Sequence, residues 1–232
     1  MKLYRKILAL GLTAAMLGLT ACGSSGADAT SAAESESDTE AAEEASEEAA
    51  DGQIYNIGIC QLIQHPALDQ ATQGFKDAVT EGLGEENVNF DEQNANGDAA
   101  TATTICTNFV AEDVDLILAN ATASIQAAAA ATGDIPILGT SITDYGVALD
   151  IADFDGTVGG NISGTSDCAP LEEQASMMED IFPDAQTIGI LYCSAEPNSK
   201  FQADTVQAKL EADGKTVKIY TFSDSNDLAS VT

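Results

Sequence analysis

Apolar runs of strand length alternate with stretches of helical period from residue 54 onward, and this alternation constrains the fold most. Residues 54–63, IYNIGICQLI, read as a strand. Residues 67–83 follow as an amphipathic helix with Leu68, Ala71, Phe75 and Val79 on one stripe. NVNFDEQNA predicts a second strand ending at Asn94, and a helix over 98–112 starts after the Gly97-Asp98 signal. VDLILA is a third, wholly apolar strand, TASIQAAAAATG a helix ended by Gly133, and IPILGTSI a fourth strand. Strands and helices in this order predict an α/β chain with parallel sheets covered on both faces.

The rhythm breaks over residues 143–165, where Gly146, Gly156, Gly159, Gly160 and Gly164 separate short apolar pieces. It resumes with a helix over 169–182, the strand TIGILYC, a helix over 198–213, the strand KTVKIYTF and a helix start near Asn226. A break after four strand–helix units predicts two sheets: an N-terminal lobe over 54–148, then a crossover and a second lobe over 149–232. The second sheet has only two or three strands, and sheets that small are marginal alone. The expectation is therefore a second lobe cut short near Thr232.

The first 53 residues read differently. Lys2, Arg5 and Lys6 precede the apolar run ILALGLTAAMLGL, which is too short for a membrane span and ends in LTAC. Residues 1–21 read as a signal peptide, with Cys22 as a lipidated N-terminus in a lipobox-like signal or as a chance cysteine after an ordinary one. Residues 22–53 continue as an acidic linker; from 24 to 53 it holds no aromatic, proline or basic residue and cannot build a core. The full chain has 8 Lys+Arg against 38 Asp+Glu, and no arginine follows Arg5. A net charge of -30 repels phosphate backbones and excludes nucleic acid as a partner.

Open parallel sheets bind ligands beyond the carboxyl ends of their strands. The loops expected there supply Gln64, His65 and Pro66; Asn94; Asn120, Thr122 and Ser124; Thr143 and Asp144; Thr165, Ser166 and Asp167; and Ser194, Glu196 and Asn198. His65, the sole histidine, is a ligand-facing ring or a turn residue bonded locally. Ser166 and Asp167 are ligand contacts or a helix cap before Pro170, and Glu196 is a ligand acceptor or a solvated loop acid. There is no P-loop, G-x-G-x-x-G or G-x-S-x-G, so the chain reads as a binder and not an enzyme. Cys60, Cys106, Cys168 and Cys193 show neither C-x-x-C nor metal-site spacing, so no metal or cofactor is expected. They read as buried small hydrophobes or as disulfide partners in one of three full pairings.

IGICQLIQHPALDQATQGFKDAV, FDEQNANGD, NISGTSD and LYCSAEPNS together resemble the ABC-transporter substrate-binding proteins of the tryptophan/tyrosine type, over residues 54–232. The resemblance implies a type I periplasmic-binding fold of two Rossmann-like lobes with a ligand between them. It implies an amino acid or related small molecule as ligand, aromatic in that family type, and ABC permease subunits as partners. It implies an extracytoplasmic protein held to the membrane by its N-terminal lipid. Members of that family run on past the equivalent of Thr232, which agrees with the short second lobe. An amino-acid zwitterion needs anion donors and an acceptor. With no arginine in the folded part, helix N-termini at Thr122 and Ser124 and at Thr165 and Ser166 take the first role, and Asp167 or Glu196 the second. A ligand-binding sensor lipoprotein of the same fold, or a receptor for a sugar-like ligand, are the competing expectations.

Overall fold

The computed structural model describes residues 52–223 and 225–231. The expected signal peptide, Cys22 and the acidic linker up to residue 51 lie outside them. β1 (Tyr55–Gln61), β2 (Val88–Asn94), β3 (Leu116–Asn120), β4 (Ile137–Ile142) and β5 (Ile162–Ser166) form one parallel sheet in the order β2-β1-β3-β4-β5. Between them run α1 (Pro66–Leu83), α2 (Ala99–Ala111), α3 (Thr122–Ala131) and the single turn α4 (Tyr145–Ala148).

Each face of the sheet has its own core. Ile57, Ile59, Val88 and Leu118 pack beneath Phe75 and Val79 of α1. Cys60, Ile117 and Ile137 pack on the other face against Ile105, Cys106 and Phe109 of α2 and Ile125 of α3. The chain thus leaves β1 over one face and returns from β2 to β3 over the other, as right-handed crossovers require. The sheet and α2 approach closely at Gly58, where an added Cβ would stand 2.6 Å from the Phe109 ring. α1 departs from its expected stripe at Thr72, its one buried residue, whose hydroxyl donates to Gln61 Oε1 at 2.7 Å.

β5 corrects the expected break over 143–165. It pairs Ile162 with Ile137, Ser163 with Leu138 and Gly164 with Gly139, so the first sheet takes its edge strand from beyond residue 148. Only Ile162 in β5 is apolar and the rest of the strand is exposed, so no hydrophobic period announces it. The Gly139–Gly164 pair leaves room for the Tyr145 ring, whose hydroxyl reaches Thr165 O at 3.4 Å. Thr165 and Ser166 therefore end a strand and open no helix. The next helix, α5 (Leu171–Ile181), starts after Pro170.

In the second lobe β6 (Thr187–Cys193) and β7 (Thr216–Phe222) form a parallel pair. α5 and α6 (Pro197–Ala212) pack on each other, burying Leu171, Ala175, Ala203 and Leu210. A short turn at Ser225–Asp227 leads into α7 (Leu228–Val231).

Candidate functional site

The strand order reverses between β1 and β3, and a crevice opens beyond their carboxyl ends. Leu62 follows β1, Ala121 and Thr122 follow β3, Ser141 is the penultimate residue of β4, and Ala99 begins α2. These residues, with Ala123 and Gln126 of α3, line a cavity of about 120 Å³. Ala195, Glu196, Pro197 and Asn198, where β6 turns into α6, close it from the second lobe. A shallower groove of about 560 Å³ lies on the second lobe alone, between α5, α6 and the end of β6. We take the smaller cavity as the site because it joins the switch point to the opposing lobe, while the groove touches one lobe only.

The wall on the first lobe is largely main chain. Ala121 takes φ 88° and ψ 162°, a conformation ordinarily left to glycine. Its amide donates to Thr140 O at 3.0 Å, and its carbonyl accepts from the amides of Ser124 and Ile125, each at 3.1 Å. That leaves the amides of Thr122 and Ala123 outside the helical ladder at the positive end of the α3 dipole. Ser141 is also left-handed, at φ 57°. Gln126 is held by its Nε2 donating to Ala148 O at 2.9 Å. Across the cavity, Glu196 Oε2 accepts from Ser199 Oγ at 3.0 Å.

Of the residues expected at the site, Thr122, Glu196 and Asn198 meet around this cavity. Gln64, His65 and Pro66 are exposed and outside its lining. His65 caps α1, its Nδ1 accepting from the Ala67 amide at 3.2 Å, and Pro66 is the first residue of that helix. Asn94 closes a local turn by accepting from the Asn96 amide at 2.8 Å. Asn120 is fully buried toward α1, donating to Leu68 O and Thr72 Oγ1. Ser124 is equally buried and accepts from Cys60 Sγ at 3.6 Å, so it belongs to the core and not to the crevice. Thr143 O accepts from Ser166 Oγ at 2.8 Å, and Asp144 caps α4 through the Val147 amide. Ser166 Oγ also accepts from the Cys168 amide at 3.2 Å. Asp167 is exposed near Tyr145, whose hydroxyl is pushed up to about 12 by burial and by that charge. Ser194 Oγ donates to Phe222 O at 3.2 Å.

Leu62, Ala99 and Gln126 were outside the expected loops. Ala121, Ala123, Ala195 and Pro197 lay inside them but carry no polar side chain, and Ser141 also lay inside them. Their signal is positional, small residues at strand ends beside a helix start. Among the described residues no group of three or more His, Cys, Asp or Glu side chains is placed to hold a metal ion.

The chain resembles several known proteins over this part. A tyrosine-binding protein of Clostridioides difficile is 41% identical over 153 residues, which are 65% of this chain and 44% of that protein. The crystal structure of an ABC domain from Streptococcus pneumoniae in complex with L-Trp is similar with a TM-score of 0.72 and 34% identity. That match covers 77% of this chain and 61% of the other. The ligand-free, open structure of a Clostridium difficile substrate-binding protein with adhesive properties is 38% identical but has a TM-score of 0.57. It covers 76% of this chain and 60% of that one. The chain thus spans under half of the tyrosine-binding relative and about three fifths of the two solved structures. The family described as ABC transporter substrate binding protein matches residues 56–232. Two α/β lobes of parallel sheet facing each other across a crevice are the type I periplasmic-binding architecture, and the chain belongs to the ABC transporter substrate-binding protein family.

Proposed function

We propose that this protein is the capturing component of an ABC importer, taking up a small amino acid-like zwitterion, aromatic in its side chain, between its two lobes. The observation that carries the reading is the cavity itself. Unladdered amides of α3 face it from the first lobe, and the Glu196 carboxylate lines it from the second. Helix N-terminal amides receive a carboxylate, and Glu196 receives an ammonium. Leu62, Ala99, Ala195 and Pro197 supply apolar surface between them. At about 120 Å³ the cavity suits a small molecule rather than a polymer.

The relatives support the same reading: one is described as tyrosine-binding and another was solved with L-Trp. The fold match is also better to the L-Trp complex than to the open, ligand-free relative, despite the higher identity of the latter. This agrees with lobes that close on a ligand, the usual means by which such receptors trap it. The ligand leaves unchanged for a permease, so no turnover is expected. Cys22, lipidated, holds the protein at the outer face of the cytoplasmic membrane.

The experiment is calorimetric titration of the purified protein with L-Trp, L-Tyr, L-Leu and D-glucose. An aromatic amino acid should bind and be recovered at unchanged mass. Glu196→Gln should weaken it by about 10–100-fold, the equivalent of about 1.5–3 kcal/mol for a hydrogen bond to a charged group. Binding of glucose with none of the amino acids would end this reading.

A further inference from the structure

Two thiols meet in the core of the first lobe. Cys60 lies on β1 and Cys106 on α2, and neither exposes any surface. Their alignment follows from the contact beside them, where Phe109 sits on Gly58. Two residues along the strand, on the same face, brings Cys60, and one turn back along the helix brings Cys106. The helix runs against the strand, so both steps lead the same way, about 6.6 Å along the strand and about 4.5 Å along the helix. Both thiols belong to one buried cluster, each the strongest influence on the other's titration, and Cys60 Sγ donates to Ser124 Oγ at 3.6 Å. The other thiols stand apart from this core: Cys168 is exposed beyond β5 and Cys193 ends β6 in the second lobe.

We propose that Cys60 and Cys106 form a disulfide that ties β1 to α2, made as the first lobe folds and then sealed from solvent. The oxidant is a small-molecule or protein disulfide. The Cys60 thiolate attacks one of its sulfurs, forming a mixed disulfide and releasing one thiolate. The Cys106 thiolate then displaces the second sulfur, closing the Cys60–Cys106 bond. Two electrons pass from the cysteines to the oxidant, which leaves as two thiols carrying the two protons. Extracytoplasmic placement supplies oxidising surroundings, but the test does not depend on it.

The protein is refolded from guanidinium in oxidised and reduced glutathione, and the soluble folded fraction is denatured, alkylated and peptide-mapped. The expected product joins the Cys60 and Cys106 peptides and leaves Cys168 and Cys193 alkylated. Reduction should then lower the melting temperature by about 10 °C, as expected for opening a loop of this length in a domain of this size. Cys106→Ala and the double variant Cys60→Ala/Cys106→Ala should lose that response to reductant. Alkylation of both Cys60 and Cys106 after oxidative refolding overturns the proposal, as does their pairing with Cys168 or Cys193.

Discussion

Ala121 is the most strained residue of the crevice wall, at φ 88° and ψ 162°. For a residue with a Cβ this conformation costs about 1–3 kcal/mol. The bonds that impose it are its amide to Thr140 O and its carbonyl to the first turn of α3. Glycine relieves the strain but adds freedom to the unfolded chain, so the two effects partly offset. Ala121→Gly should raise the stability of the ligand-free protein by about 1 kcal/mol in urea denaturation. Ala121→Val should lower it, because a β-branched side chain tolerates positive φ least. If Ala121→Gly is destabilising, strain is not what this position stores. His65 shows the converse at residue scale. Its junction between strand and helix was legible, but one of its two ring nitrogens, Nδ1, is spent on the Ala67 amide.

Elements made of apolar residues were legible, and those made of backbone pairing were not. β1, β3, α2 and α3 carry Ile, Leu, Val, Phe and Ala at core positions, and their period gives them away. β5 has one apolar side chain and is held by the edge of β4, which leaves no pattern to read. Asn120 and Ser124 looked like loop polar groups because a sequence shows that a strand has ended but not which way its last side chains turn. Both turn into the protein, Asn120 toward α1 and Ser124 toward Cys60. The packing of β1 on α2 gives the test at this scale. Gly58→Ala places a Cβ 2.6 Å from the Phe109 ring and should cost about 1–3 kcal/mol by urea denaturation. Phe109→Leu in the same chain should recover part of that loss. Additive losses in the double variant would show that the ring and the glycine do not compete for one space.

At the scale of the whole molecule, charge is the dominant asymmetry. Four lysines of the folded part pair with acids: Lys76 with Glu92, Lys200 with Asp204, Lys209 with Asp213 and Lys215 with Glu179. The chain's 38 acidic residues far outnumber its 8 basic ones, so most carboxylates have no cation to pair with. Self-repulsion opposes the compact state and is screened over about 10 Å at 0.1 M salt. Raising sodium chloride from about 20 mM to 0.5 M, which shortens the screening length several-fold, should therefore raise the melting temperature by several degrees. A flat or falling melting temperature would show that the acids stand too far apart to matter. The crevice carries a different consequence. Four of its eleven lining residues, Ala99, Ala121, Ala123 and Ala195, are already alanine. A mutational scan to alanine passes over those positions unchanged and leaves every main-chain donor in place. Such a screen would score this crevice as tolerant. Only variants that add volume, such as Ala123→Leu, would register it, so a map of sensitivity here traces the space left open for a guest rather than the groups that hold it.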